Sequence, residues 1–133
     1  MARVQNDINN TWMNEILTKI IENLKNKGDM QQKESMLYLL CALHKKIIIN
    51  GRILIYMEKI LMQHAFSELS NNTALMQHTT MLLYEKYYKL FFKDQEHSQS
   101  LINTILINLN NSHPAVAVQA GITLRFYTKK QYC

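Results

Sequence analysis

Residues 114–124 read Pro114-Ala115-Val116-Ala117-Val118-Gln119-Ala120-Gly121-Ile122-Thr123-Leu124, and the fold turns on this stretch. Proline suits the first turn of a helix, where its missing N–H costs nothing, and Ser112 or His113 stands ready to cap. Val116, Ala120, Leu124 and then Tyr127 recur at helical spacing and give one buried face. A small Ala120 lets a neighbouring helix come close, while Val116 and Leu124 fill the space beside it.

The same 3.6-residue period predicts five more helices upstream. The first spans about 8–26, with Asp7 as cap, one stripe of Trp12, Ile16 and Ile20, and a second of Met13, Leu17, Ile21 and Leu24. Lys25, Lys27 and Gly28 form its stop. The second spans about 30–49, where Met36, Leu40, Leu43 and Ile47, widened by Leu37, Leu39 and Ala42, suit an inner helix packed on two sides. Asn50-Gly51 ends it. The third, about 52–69, carries Ile53, Met57, Ile60, Leu61 and His64 on one face. The fourth, about 73–92, follows the Ser70-Asn71-Asn72 turn and ends in Tyr84, Tyr87, Tyr88, Phe91 and Phe92, a core stripe expected to send its phenol tips to water. The fifth, about 98–109, has Leu101, Ile102, Ile105, Leu106 and Leu109.

Six helices with short loops predict an all-α chain of about three antiparallel hairpins, at about 8–49, 52–92 and 98–128. Units of roughly 35 to 45 residues have the size of HEAT or armadillo repeats, which stack into an α-α superhelix.

Composition agrees. Hydrophobic residues make up 47 % of the 133-residue chain, enough for a core, and three glycines with one proline are too few for a turn-rich β fold. The net charge of +5 is carried by lysine pairs such as Lys45-Lys46 and Lys129-Lys130, a pattern of solvated helix surface more than of a nucleic-acid stripe. Cys41 reads as a small core residue and Cys133 as an exposed terminus, so no disulfide framework is expected. The polar first residues carry no secretory signal, and no apolar run reaches bilayer length, which predicts a soluble intracellular chain. The abundant asparagines, among them Asn71, Asn108, Asn110 and Asn111, read as codon bias.

No catalytic constellation, phosphate loop or cofactor motif is visible. The five histidines, His44, His64, His78, His97 and His113, lack metal-ligand spacing, and the carboxylates are dispersed. The expectation is a non-enzymatic protein without metal or cofactor.

Three blocks, in order, carry a family resemblance. Pro114, Val116, Ala120 and Leu124 match the second-helix pattern of HEAT repeats, with Ala117 where arginine is usual and Thr123 where a second alanine is usual. Gln32 to Leu43 (QKESMLYLLCAL) resembles a helix of the importin-β (karyopherin-β) family of nuclear transport receptors. Met57 to Leu69 (MEKILMQHAFSEL) resembles the next, with Ser67 in place of a proline. The order is most similar to the branch with importins seven and eight and the exportin of importin-α. The resemblance covers about 100 of the 133 residues.

The resemblance implies a Ran-dependent import or export receptor, of which this chain would be a slice. Its partners would be cargo proteins, the Ran GTPase and Phe-Gly nucleoporins, with no membrane or nucleic-acid ligand, in cytoplasm, nucleus and nuclear envelope. Trp12, Met13 and Leu17 lie on adjoining faces of the first helix, and Ile122 and Phe126 lie beside the buried stripe of the sixth, as expected of an uncapped solenoid. In that family the second helix of each hairpin faces cargo. The implied protein contacts here are Lys45, Lys46, Gln77, Lys86, Lys89, Arg125 and Lys129. Two other readings share the fold: a HEAT-repeat nucleic-acid binder, and a structural scaffold or adaptor.

Overall fold

The computed structural model describes residues 2–25, 29–49, 51–71, 73–92 and 94–129, the side chains of 2–11, 51, 52, 55, 91, 92 and 129 excepted. The chain is all-helical. Its helices are α1 (Ala2–Lys25), α2 (Met30–Ala42), α3 (His44–Ile49), α4 (Gly51–His64), α5 (Ala74–Lys86), α6 (Gln95–Asn108) and α7 (Pro114–Lys129). Single 3-10 turns follow at Phe66–Ser70 and Tyr88–Phe92, and no strand occurs among the described residues. None of these helices is long and apolar enough to cross a membrane.

Local chemistry explains the starts. Asp29 Oδ1 accepts the N–H of Gln31 at 3.0 Å and opens α2. Asp94 Oδ1 accepts the N–H groups of Glu96 at 3.0 Å and His97 at 3.2 Å, so α6 begins at Gln95 instead of Ser98. Asp7 is not a cap, because α1 already begins at Ala2 and carries Asp7 inside it. The expected stop at Lys27-Gly28, Asn50, Asn72 and Cys133 lie outside the described residues.

Three of the expected helices are interrupted, at Leu43, Ala65 and Tyr87, without glycine or proline. Each interrupting residue still closes an α-turn: Leu43 N–H donates to Leu39 O, Ala65 to Leu61 O and Tyr87 to Leu83 O. After two of them the ladder tightens to i→i+3 bonds, Glu68 to Ala65 O and Leu90 to Tyr87 O. Carbonyls near a helix end need partners from outside the helix. Tyrosines supply them at Leu40 and Tyr84, and give Leu61 O, which already accepts Ala65 N–H, a second donor. Tyr87 Oη donates to Leu40 O at 2.8 Å, Tyr84 Oη to Leu61 O at 2.7 Å, and Tyr127 Oη to Tyr84 O at 2.8 Å. All three side chains are fully buried, which corrects the expectation that the phenol tips reach water. Tyr88 is half-buried against Phe126, with ring centroids 5.0 Å apart; the side chains of Phe91 and Phe92 are not described.

The helices form two rows, and of these bonds the one from Tyr84 to Leu61 O crosses between them. In the first, α2 packs on α5 and α5 on α7; in the second, α1 packs on α4, and α6 lies against both 3-10 turns and α7. α5 is the centre, burying Met76, Thr79, Thr80, Met81, Leu83 and Tyr84. Polar pairs run across the first row: Thr79 Oγ1 donates to Glu34 Oε1 at 2.6 Å, Gln119 Nε2 to Glu85 Oε1 at 3.2 Å and Thr123 Oγ1 to Met81 O at 3.2 Å. Thr123, where a second alanine was usual, is thus a buried tie between α7 and α5.

The stripe of α1 is corrected by one residue. Met13, Leu17, Ile20 and Leu24 are buried, whereas Trp12 is half exposed, with Lys46 Nζ 5.7 Å above its ring. In α2, Leu37, Leu40 and Cys41 are buried and Leu39 and Ala42 face out. In α6, Leu101, Ile105 and Asn108 are buried while Leu106 and Leu109 are exposed.

Burial predicts alkaline instability. It pushes the Cys41 thiol from 9.0 up to about 12 and holds the Tyr84, Tyr87 and Tyr127 hydroxyls above their usual 10.0. The folded chain keeps these protons at a pH where the unfolded chain sheds them, so stability falls as pH rises past the unfolded values. Each such group adds about 1.4 kcal/mol per pH unit to the slope. The urea midpoint should hold to about pH 8.5 and drop steeply by about pH 10.5. A midpoint indifferent to this range would contradict the burial of these groups.

Candidate protein-contact surface

Of the seven expected contact residues, four are exposed cations on or beside the α2–α5–α7 row: Lys45 and Lys46 on α3, Lys89 in the turn after α5, and Arg125 on α7. Lys86 is half-buried and lies 3.5 Å from Glu85 Oε2, which also receives Gln119 through its other oxygen. The cation is therefore partly neutralised where it stands.

Gln77 has a different place. Its Nε2 donates to Leu69 O at 3.3 Å and its Oε1 accepts from Asn111 Nδ2 at 3.1 Å. Asn108 Nδ2 donates to the same Leu69 carbonyl at 3.2 Å. These groups satisfy the end of the Phe66–Ser70 turn and fasten α5 and α6 to it. Gln77 is thus committed within the fold, and the Lys129 side chain lies outside the described residues.

The asparagines expected as codon bias carry structure. Asn71 Oδ1 accepts Thr73 N–H at 2.8 Å, and its Nδ2 donates to Glu68 Oε2 at 2.6 Å. Glu68 in turn holds Lys33 Nζ at 2.7 Å, pinning α2 to the turn after α4. Asn111 Oδ1 accepts His113 N–H at 2.9 Å, just before Pro114 opens α7.

One cluster escaped the sequence reading. His97 Nδ1 lies 3.1 Å from Glu58 Oε1 and 3.6 Å from Asp94 Oδ2, and the three donor groups fall within 4.8 Å of one another. This set of imidazole and two carboxylates has the chemistry to hold a divalent cation. It is equally a polar contact that fastens α4 to the start of α6. The N-terminal dipole of α6 opposes a cation there, while Asp94 Oδ1 is already engaged as the cap. Glu58 and His97 lie in different helices, so no local spacing announces them.

Cys41 is a free, buried thiol. Its raised proton affinity removes it from nucleophilic chemistry near neutral pH. Beside it, His44 Nδ1 lies 2.8 Å from Cys41 O, with the His44 ring edge-on to Tyr87. Comparison with known proteins finds no match among protein-family models, curated proteins or solved structures.

Proposed function

We propose that this chain is a protein-binding run of HEAT-like helical hairpins that form an α-α superhelix, and that it serves as a segment of a Ran-dependent nuclear transport receptor. The observation that carries the repeat reading is the row α2, α5, α7: helices from successive units lie side by side in chain order, with α5 packed on both neighbours. Repeats that bury their apolar faces only against adjacent units stack in this way. The receptor reading is supported by the ordered blocks Gln32–Leu43, Met57–Leu69 and Pro114–Leu124.

In this reading the protein does no chemistry and works by presenting a surface. Lys45, Lys46, Lys89 and Arg125 offer exposed cations to an acidic partner. Electrostatic complementarity of this kind sets encounter rate and partner choice more than raw affinity. The chain would act in cytoplasm and nucleus, on cargo, Ran-GTP and Phe-Gly nucleoporins.

The test is equilibrium binding of the immobilised chain to Ran-GTP, Ran-GDP, a Phe-Gly repeat peptide and a DNA duplex. Binding to Ran-GTP over Ran-GDP, or to the Phe-Gly peptide, is expected. Failure of both would sink the receptor reading. Duplex binding that weakens steeply with salt would put a nucleic-acid function in its place.

A further inference from the structure

Between α1 and α4 runs an open groove of about 370 Å³. Leu17 and Ile21 of α1 and Ile53, Met57 and Ile60 of α4 give it an apolar floor. On α1 it extends from Asn14 to Lys25 and on α4 from Ile53 to His64. Each stretch rises by roughly 16 Å, the length of three helical turns.

The rim is basic. Lys25 and Lys59 are exposed and line it, and neither is in an ion pair among the described residues. No carboxylate is among its described lining residues. The helices turn their acids elsewhere: Glu15 and Glu22 of α1 line a neighbouring hollow with Lys19, and Glu58 of α4 meets His97. The positive field is felt at His64, whose proton affinity is lowered by burial and then by Lys25 and Lys33. Tyr56, 65 % exposed, stands at the edge as an aromatic of the kind enriched in protein interfaces.

We propose that the α1–α4 groove docks an acidic amphipathic helix of about three turns. An apolar stripe at i, i+4 and i+7 lies on the floor, and flanking carboxylates meet Lys25 and Lys59. The open shape favours a helix over a small anionic amphiphile. A helix keeps its polar back in water, whereas an alkyl chain in an open groove leaves apolar surface wet. This site uses other residues than the cations of the transport reading, and either can fail without the other.

The probe is a labelled, helix-stapled peptide of about 15 residues with leucines at i, i+4 and i+7 and glutamates beside them, paired with the same peptide carrying lysines. Fluorescence anisotropy should show the glutamate peptide binding about tenfold more tightly at low salt, with the gap closing as salt is raised. Lys25→Glu with Lys59→Glu should reverse the preference, and Tyr56→Ala should weaken both peptides while keeping it. Circular dichroism melts would establish that the variants, all at exposed positions, remain folded. Amide shift changes should centre on 14–25 and 53–64.

Equal binding of the two peptides, or a preference that survives the double reversal, overturns the proposal. So does sedimentation as a dimer that Tyr56→Ala dissolves, which would make a second copy the occupant. Micromolar binding of dodecanoate without binding of the peptide would overturn it in favour of a lipid-like ligand.

Discussion

Val116→Asp lowers the unfolding free energy in urea by about 3 kcal/mol or more. Val116 is fully buried in α7, which packs on both α5 and α6. Losing the valine's apolar burial costs about 1.5 kcal/mol or more. The carboxylate must then either stay charged in a dry site or take up a proton and leave an unbonded hydroxyl, at about 1–3 kcal/mol. One effect opposes this. An acid in the first turn gains about 0.3–1 kcal/mol from the helix dipole, too little to offset the loss. Val118→Asp on the same helix is the control: Val118 is 64 % exposed, and the change should stay within about 0.5 kcal/mol. A Val116→Asp chain that melts with the wild type would mean that this face of α7 is not packed.

Tyr84 separates volume from hydrogen bonding. Tyr84→Ala should cost about 3–5 kcal/mol, as for other large aromatic side chains removed from a core. Tyr84→Phe keeps the ring and loses the bond to Leu61 O. That carbonyl also accepts Ala65 N–H at 2.9 Å, so it is not orphaned. The cost should sit near about 1 kcal/mol, below that of stranding a buried acceptor. Tyr84→Ala also removes ring surface at the junction of α4 and α5 while leaving the Tyr84 carbonyl in place for Tyr127 Oη. Urea denaturation of the pair resolves the two terms. Equal losses in both variants would show that the ring contributes little and that α5 is not the centre of the core.

The helices were legible because their apolar residues recur with the helical period over long stretches. Pro114, Val116 and Ala120 placed α7 correctly for that reason. Other features were not legible. The breaks at Leu43, Ala65 and Tyr87 have no Gly or Pro signal; tyrosine hydroxyls from other helices serve carbonyls beside them, a tertiary cause. Trp12 competed with Met13 for the core, and periodicity alone could not place the buried stripe to within one residue. Asn108 read as codon bias within the fifth helix. It is buried because two carbonyls, Leu69 O and Thr104 O, accept its Nδ2 protons. The Glu58–His97 contact and the α1–α4 groove join residues far apart in the chain, where pattern reading has no reach.

The protein-binding reading rests on α2, α5 and α7 lying in a row, with tyrosines bonding them to one another and to α4. Nuclear Overhauser contacts from the rings of Tyr84, Tyr87 and Tyr127 in specifically labelled protein test this most directly. Contacts are expected from Tyr87 to Leu40, from Tyr84 to Leu61 and from Tyr127 to Tyr84, all pairs that share a short hydrogen bond. Rings that show contacts only within their own helices, with hydroxyls ionising near the ordinary 10.0 in folded protein, would contradict that arrangement.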